Sequence, residues 1–467
     1  MALDQAVPIA EVVRIEQNAA PRACTIAISP PPVPGYQWAV TSPRAFLNDL
    51  FTAAVASVHP AACLTRFLPS PPPERLLLLA AGKAAGAMSE VAERHYLDEL
   101  GLPGARLDGI AVTRHGYGRP TRRVALIEAG HPVPDAAGLA ASERMLAVAD
   151  SATERDLVLV LMSGGASAAL IAPAAGVTLA EKQAVTRQLL KSGASIGEIN
   201  RLRKHLSAIK GGRLAARARP ARVVTLAISD VPGDDPAVIG SGPTVPDPTT
   251  LADARAVAAR FQLSLSDAIE RALRDPGNET PKPGDAIFAG TEFAIVARPA
   301  DALRTAAERV KAAGYECVLL GDRLEGEARV VAAAHAELAR DLASQHRRAV
   351  ILSGGELTVT IQGQGRGGPN QEYALALVRE FDGISGLAAI AGDTDGTDGG
   401  TGRPDDPAGA IVDGQSAARA RSLGLDPALF LADNDSTGFF ARLGDLLRPG
   451  PTYTNVNDFR AILVDRP

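Results

Sequence analysis

Residues 353–372 read SGGELTVTIQGQGRGGPNQE. A small Ser353-Gly354-Gly355-Glu356 turn leads into a run in which Leu357, Val359 and Ile361 alternate with Thr358, Thr360 and Gln362. Period-2 alternation predicts a strand with one buried face. Gly363, Gly365, Gly367 and Gly368 then surround Arg366, and Pro369 takes the place of a first helical residue. The order is strand, Gly-rich loop, helix start. Glycines let amide groups turn toward a ligand, a helix start adds unpaired donors, and Arg366 adds a fixed charge. The stretch predicts an anion site for phosphate or carboxylate.

Working outward, the same alternation of strand and helix continues in both directions. Toward the N-terminus lie a buried strand over 349–352, a helix over 325–344, a strand over 316–320, a helix over 300–313 and a strand over 286–289. Toward the C-terminus a strand over 387–391 ends in GDTDGTDG, and a strand over 410–412 leads to the polar TYTNVND loop and a last helix or strand. Asp393, Asp395 and Asp398 stand at near-alternate positions. Such a set holds a hard cation or makes an Asx-bonded turn; it lacks the spacing and distal Glu of a calcium loop.

The first half repeats the pattern. An apolar run over 76–80 feeds Gly82-Lys83, placing a lysine at the carboxyl end of a buried strand, where open α/β sheets bind ligands. It is not a Walker A loop, since no Ser or Thr follows Lys83. Short strands are predicted over 124–127, 156–162 and 223–228. The second is followed by Ser163-Gly164-Gly165, a second copy of the Ser-Gly-Gly device. Gly-rich turns after buried strands also arise from packing alone, but two copies near basic residues point to backbone donors for an anion. The third strand ends at Ser229-Asp230, where an aspartate is placed to hold Mg²⁺ or orient a hydroxyl. His131, in a Pro-rich loop, reads equally as a substrate contact or a structural histidine. In the basic run 201–213, Arg203 reads as a solvated surface charge, and Lys204 reaches phosphates if its flank faces the ligand.

Composition limits the alternatives. The 467 residues imply two domains, with a boundary at the Pro/Gly-rich 275–285. We therefore expect an N-terminal extension over 1–41, a first domain over 42–284 and a second over 285–467. A net charge of −5 argues against a general nucleic-acid binder. The three cysteines, Cys24, Cys63 and Cys317, show no metal or disulfide spacing, which implies a reducing compartment and a cytoplasmic location. No apolar run approaches the roughly eighteen residues of a membrane span, and the N-terminus does not resemble a secretory signal.

The segments GKAAGAM, GHPVPD, LMSGGASA, NRLRKHLSAIKGG, SDVPGDDPAVIGSGPTVPD, LSGGELTV, GRGGPNQE, AGDTDGTDG and TNVND together resemble the class II glycerate kinases, whose C-terminal half is the MOFRL domain. The resemblance runs from about residue 78 to 458. It implies two α/β domains: a mostly parallel, Rossmann-like sheet first, a smaller mixed-sheet MOFRL domain second, and the active site in the cleft between them. It implies ATP- and Mg²⁺-dependent phosphorylation of D-glycerate to 2-phosphoglycerate, with small molecules as the partners and a homodimer as one expectation for assembly. The family's catalytic Lys and Arg fall on Lys83 and Arg366. Beside that resemblance, Ser163, Gly164, Gly165, Lys204, Gly354, Gly355, Gly365 and Gly367 are the candidate phosphate contacts. Asp230 is the candidate base, and Asp230, Asp393 and Glu356 are the candidate metal ligands. Tyr453 departs from the family pattern, where a small residue is expected.

Two rivals remain at this level. Gly363, Gly365 and Gly368 satisfy GxGxxG, the fingerprint of an NAD(P)-dependent reductase such as hydroxypyruvate reductase. Against it, the preceding strand alternates rather than being continuously apolar, and Arg366 and Pro369 crowd the loop. A glycerate 3-kinase would differ only in the hydroxyl attacked.

Overall fold

The structure, a computed structural model, describes residues 42–465. The expected extension over 1–41, with Cys24, lies outside them. Two six-stranded sheets organise the rest.

The first sheet contains β1 (Leu76–Ala81), β2 (Leu107–Arg114), β3 (Val124–Ala129), β4 (Leu157–Met162), β5 (Arg222–Ile228) and β6 (Thr291–Ala297), in the order β3-β2-β1-β4-β5-β6. Every pairing is parallel. β1, LLLLAA, and β4, LVLVLM, are buried along their whole length, because helices cover both faces of a parallel sheet. Strand order reverses between β1 and β4. The crevice beyond their carboxyl ends is where such sheets bind ligands.

The second sheet is mixed. β7 (Glu316–Leu319) runs parallel to β9 (Ala349–Ser353). Antiparallel pairings then link β9, β14 (Asp458–Val464), β11 (Leu387–Asp393), β12 (Gly409–Asp413) and β13 (Leu446–Leu447). A parallel pair, β8 (Leu324–Glu327) and β10 (Gly355–Thr358), stands apart. Of the alternation read in residues 357–362, only Leu357, buried, and Thr358, exposed, fall in β10. The strand ends at Thr358, Val359 is half-buried and Ile361 is exposed, so the expected strand is cut short.

Three sequence expectations need correction. Residues Ala286–Phe288 form a 3₁₀ turn, and the strand that follows, β6, closes the first sheet, so that sheet extends past 284. The helix Pro43–Ser57, assigned to the first domain, packs on the helix Pro299–Ala312 and on β11 of the second sheet. Its Arg44 reaches Asp413 at 2.5 Å and Asp445 at 2.8 Å. β2 was not foreseen, since Asp108 and Gly109 interrupt its apolar run.

The helix Pro43–Ser57 lies within one continuous apolar core with Leu76 and Leu78 of β1, Leu352 of β9, Ile390 of β11 and Phe459 of β14. The two sheets are thus welded through a shared interior; swinging them apart as rigid halves would expose it. A helix–sheet core of alanines and aromatics, including Tyr373, Phe381 and Phe439, covers the far side of the second sheet. Among the described residues, no helix is long and apolar enough to cross a membrane.

Candidate active site

The crevice beyond β1 and β4 is built around Lys83. β1 leaves the sheet through Gly82, whose φ is +117°, and a Cβ there would collide with Ser163. This close approach locks the two strand ends together. Ser163 Oγ accepts the Ala84 amide at 2.9 Å, and the Gly164 carbonyl accepts the Lys83 amide at 2.8 Å. The Lys83 ammonium projects across to the second sheet and meets Asp395 at 2.5 Å. Burial alone would pull its pKa down. Asp395, Asp393 and Asp230 outweigh that, and the ammonium is held above the ordinary lysine value.

Carboxylates surround this cation. Burial pushes up Asp395, but Lys83 and the amide of Thr397 (2.7 Å) more than reverse that, leaving it a stable anion. Asp393, at the end of β11, is driven well above the carboxylate range by burial and by the Asp395 charge. Asp230, at the end of β5, is raised first by burial and also by Asp395. It accepts a 2.7 Å hydrogen bond from Asn455 Nδ2, which comes from the second half of the chain. Gly164 admits this pair, because a Cβ on it would run into both Asp230 and Asn455. Glu356 keeps part of its side chain exposed at the mouth of the crevice; its pKa is raised by partial desolvation, then by Asp230 and Asp458. Asp458 takes bonds from Asn370 at 2.6 Å and Arg460 at 2.8 Å. Among the described residues, Asn370 Oδ1 and Asn457 Nδ2 are buried without a partner.

Of the candidates named from sequence, Lys83, Ser163, Gly164, Gly165, Asp230, Glu356 and Asp393 converge here. The remaining ones are placed otherwise. Asp398 accepts the amides of Asn370 (3.1 Å) and Gln371 (2.8 Å) at the start of the helix Pro369–Glu380. The helix end expected to bind an outside anion therefore holds the chain's own carboxylate, which burial and Asp458 push up to about 7. The Gly-rich loop is likewise spent internally. The Gly363 amide goes to Asn434 Oδ1 at 3.0 Å, the Gly365 amide to the Asp433 carbonyl at 2.8 Å and the Arg366 amide to Asp435 at 3.2 Å. Gly365 and Gly367 are small because Asp435 and Ser436 press against them. The Gly354 amide donates to the Gly321 carbonyl at 2.9 Å. Gly355, at φ +103°, lets β10 turn onto β8. This second Ser-Gly-Gly turn is a strand junction. Lys204 is buried against Asp247 at 3.3 Å. The Arg366 side chain is exposed, and among the described residues it meets no carboxylate. Its loop touches residue 399 of the loop that carries Asp395.

Sequence reasoning missed three contributors. Arg114, at the end of the unforeseen β2, lies 3.9 Å from Asp395 and donates to Thr397 at 3.1 Å. Asp395 was visible only as one of three loop carboxylates. Asn455 was legible only through the TNVND motif. His131, left open from sequence, sits beside Lys83 and Gly165. Burial, with Lys83 and Arg114 nearby, lowers its pKa to about 3, so it is neutral at physiological pH. Tyr453 has φ +57°, which accounts for the expectation of glycine. Its ring packs edge-on to Tyr117 and under the Arg119 guanidinium, contacts that offset the backbone cost.

Comparison with known proteins agrees with this architecture. Residues 46–274 match a family described as a domain of unknown function, DUF4147, and residues 349–458 match the MOFRL family. A relative from Agrobacterium vitis, 47% identical over 91% of this chain and 96% of its own, carries the provisional name of a hydroxypyruvate reductase. The D-glycerate 2-kinase of Thermotoga maritima is 38% identical over 88% of this chain and 95% of its own. The crystal structure of a glycerate kinase from Thermotoga maritima superimposes with a TM-score of 0.79 at 37% identity, covering 90% of this chain and 99% of that one. With its parallel first sheet, its mixed MOFRL sheet and a lysine centre between them, the chain belongs to the glycerate kinase family.

Proposed function

We propose that the protein is a glycerate 2-kinase, transferring the terminal phosphoryl group of ATP to the C2 hydroxyl of D-glycerate to form 2-phosphoglycerate. One observation carries this reading: a buried ammonium, Lys83, at the strand-order reversal, ringed by carboxylates from both sheets. Phosphoryl transfer needs charge neutralisation and alignment rather than covalent chemistry. Lys83 binds the oxygens of the transferring group. Asp230, raised by burial and oriented by Asn455, accepts the hydroxyl proton. Arg366, exposed on its loop, completes the charge clamp when that loop folds over the crevice. The shared core beneath the sheets makes this a loop movement.

The donor set suits Mg²⁺. All the candidate acidic ligands are hard oxygens, and Asp230, Asp393 and Glu356 have pKa values raised first by desolvation and then by neighbouring carboxylates, a charge that a bound cation would offset. Among the described residues no three of them form a closed cage; Mg²⁺ commonly keeps one or two protein carboxylates and takes phosphate oxygens for the rest. Asp393, with Asp230 or Glu356, would hold it, and bound there it would neutralise the β- and γ-phosphate charge.

The reductase reading loses its support at the Gly-rich loop. β10 is a half-exposed strand of a separate two-stranded pair, and the loop amides are bonded to residues 433–435. The test is ADP release from ATP with D-glycerate, with phosphorus NMR of the product, set against NADH consumption with hydroxypyruvate. NADH turnover without ADP would reverse the assignment, and a 3-phosphoglycerate resonance would change the regiochemistry.

A further inference from the structure

Beside the Lys83 recess lies a cavity of about 320 Å³. His131 and Gly165 form the partition: they line the recess on one side and the cavity on the other. The cavity's chemistry is one-sided. Lys182, Arg187, Arg203 and Lys210 all line it, and among the described residues its wall contains no carboxylate. Lys182 and Lys210 are almost wholly buried. Among the described residues their hydrogen-bond partners are carbonyls: Lys182 Nζ donates to Leu206 and Lys210 Nζ to Ser167, each at 2.8 Å.

A buried ammonium without a counter-charge is costly. Burial, with Arg203 and Arg213 nearby, lowers Lys182 to about 7; burial, with Lys182 and Arg203, holds Lys210 well below the lysine range. Elsewhere in this protein a buried lysine has its acid: Lys83 has Asp395, and Lys204 has Asp247. The missing negative charge in the cavity is therefore what a ligand brings. At the rim the character changes. Val133 and Leu190 are exposed apolar side chains that also line the cavity. A ligand that is polyanionic at one end, flat and apolar at the other, and close to a phosphoryl-transfer centre has the chemistry of a nucleoside triphosphate.

We propose that this cavity is the nucleotide site. Lys182, Lys210 and Arg203 take the inner phosphates, Val133 and Leu190 flank the base, and the terminal phosphoryl passes His131 and Gly165 to Lys83. The assignment rests on the kinase reading. It places the nucleotide over the first sheet, away from the Gly-rich loop of residues 363–368.

Titration of the full-length protein with ADP, and separately with tripolyphosphate, tests it by calorimetry. Lys182→Met and Arg203→Met are expected to weaken ADP binding at least tenfold, and to raise KM for ATP without a matching rise in KM for D-glycerate. Lys182→Met carries a second signature: removing an unpaired buried cation raises Tm of the free protein while shrinking the Tm shift that ADP produces. Lys311→Met, an exposed lysine on the helix Pro299–Ala312, controls for net charge and leaves ADP affinity unchanged. Folded Lys182→Met and Arg203→Met proteins that bind ADP as tightly as the wild type would overturn the location while leaving the kinase reading intact. A wild-type protein that binds no ADP would overturn both.

Discussion

Lys83 and Asp395 meet at 2.5 Å across the line where the two sheets face each other. One residue ends the apolar β1; the other sits in the loop after β11, more than three hundred residues on. Both side chains are largely buried. The pair fixes the buried ammonium in place and ties the two halves of the chain together beside the crevice.

That pairing predicts a stability cost when it is broken from one side. Asp395→Asn leaves the Lys83 ammonium short of its main counter-charge, and should lower stability by roughly 3 kcal/mol, the lower end for a broken buried pair. Adding Lys83→Met should cost much less than a second independent loss. Urea unfolding of the two single variants and the double variant measures the coupling. Additive losses would show that the pair contributes little.

Arg366 and Lys83 should behave differently. Lys83→Ala is expected to lower kcat by roughly 10³-fold or more, as for loss of a cation on a transferring phosphoryl group. Arg366→Ala should also lower kcat strongly, yet leave Tm within about 1 °C, since an exposed side chain with no ion-pair partner among the described residues contributes little to folding. Near wild-type turnover in folded Arg366→Ala would remove this arginine from the mechanism.

The contact between Asp230 and Asn455 makes a prediction about pH. Asn455→Asp places a second carboxylate 2.7 Å from the first, which must raise the Asp230 pKa further. If Asp230 accepts the substrate proton, activity rises with pH as it ionises, and the acidic limb of the kcat profile moves to higher pH in this variant. A profile that keeps its acidic limb while only its height changes would assign the base elsewhere.

Two histidines predict acid sensitivity. His131 and His335 are lowered to about 3, in both cases chiefly by burial. In the unfolded chain an imidazole gains its proton as pH falls through about 6.5. Between there and about 3 the unfolded state binds more protons, so stability falls as pH falls, by up to about 1.4 kcal/mol per pH unit for each histidine. His335→Gln should flatten the dependence of the urea midpoint between pH 6.5 and 4.5. An unchanged slope would mean that other groups govern it.

Much of the fold was legible because buried parallel strands are continuously apolar: β1, β4, β5 and β9 stand out as runs of Leu, Val, Ile and Ala. Pro369 marked the start of its helix for an equally local reason, a ring compatible with the first turn. β2 escaped because glycine and aspartate interrupt it, and Arg114 went with it. The helix Pro43–Ser57 could be drawn from its periodicity, but its partner sheet could not.

The sequence by itself determined the alternation of strands and helices, Lys83 and Asp230 at strand ends, and the motifs of the family. Only the tertiary structure decided which donors and charges remain for a ligand. A Gly-rich loop before a helix offers amides to any acceptor; Asp433, Asn434, Asp435 and Asp398, distant in the chain, arrive first. Lys182 and Lys210 look like ordinary surface lysines in one dimension, and folding buries both without an acid beside them among the described residues. Hydrogen-bond saturation and desolvation depend on what surrounds a group in space, and neighbours in sequence do not specify that.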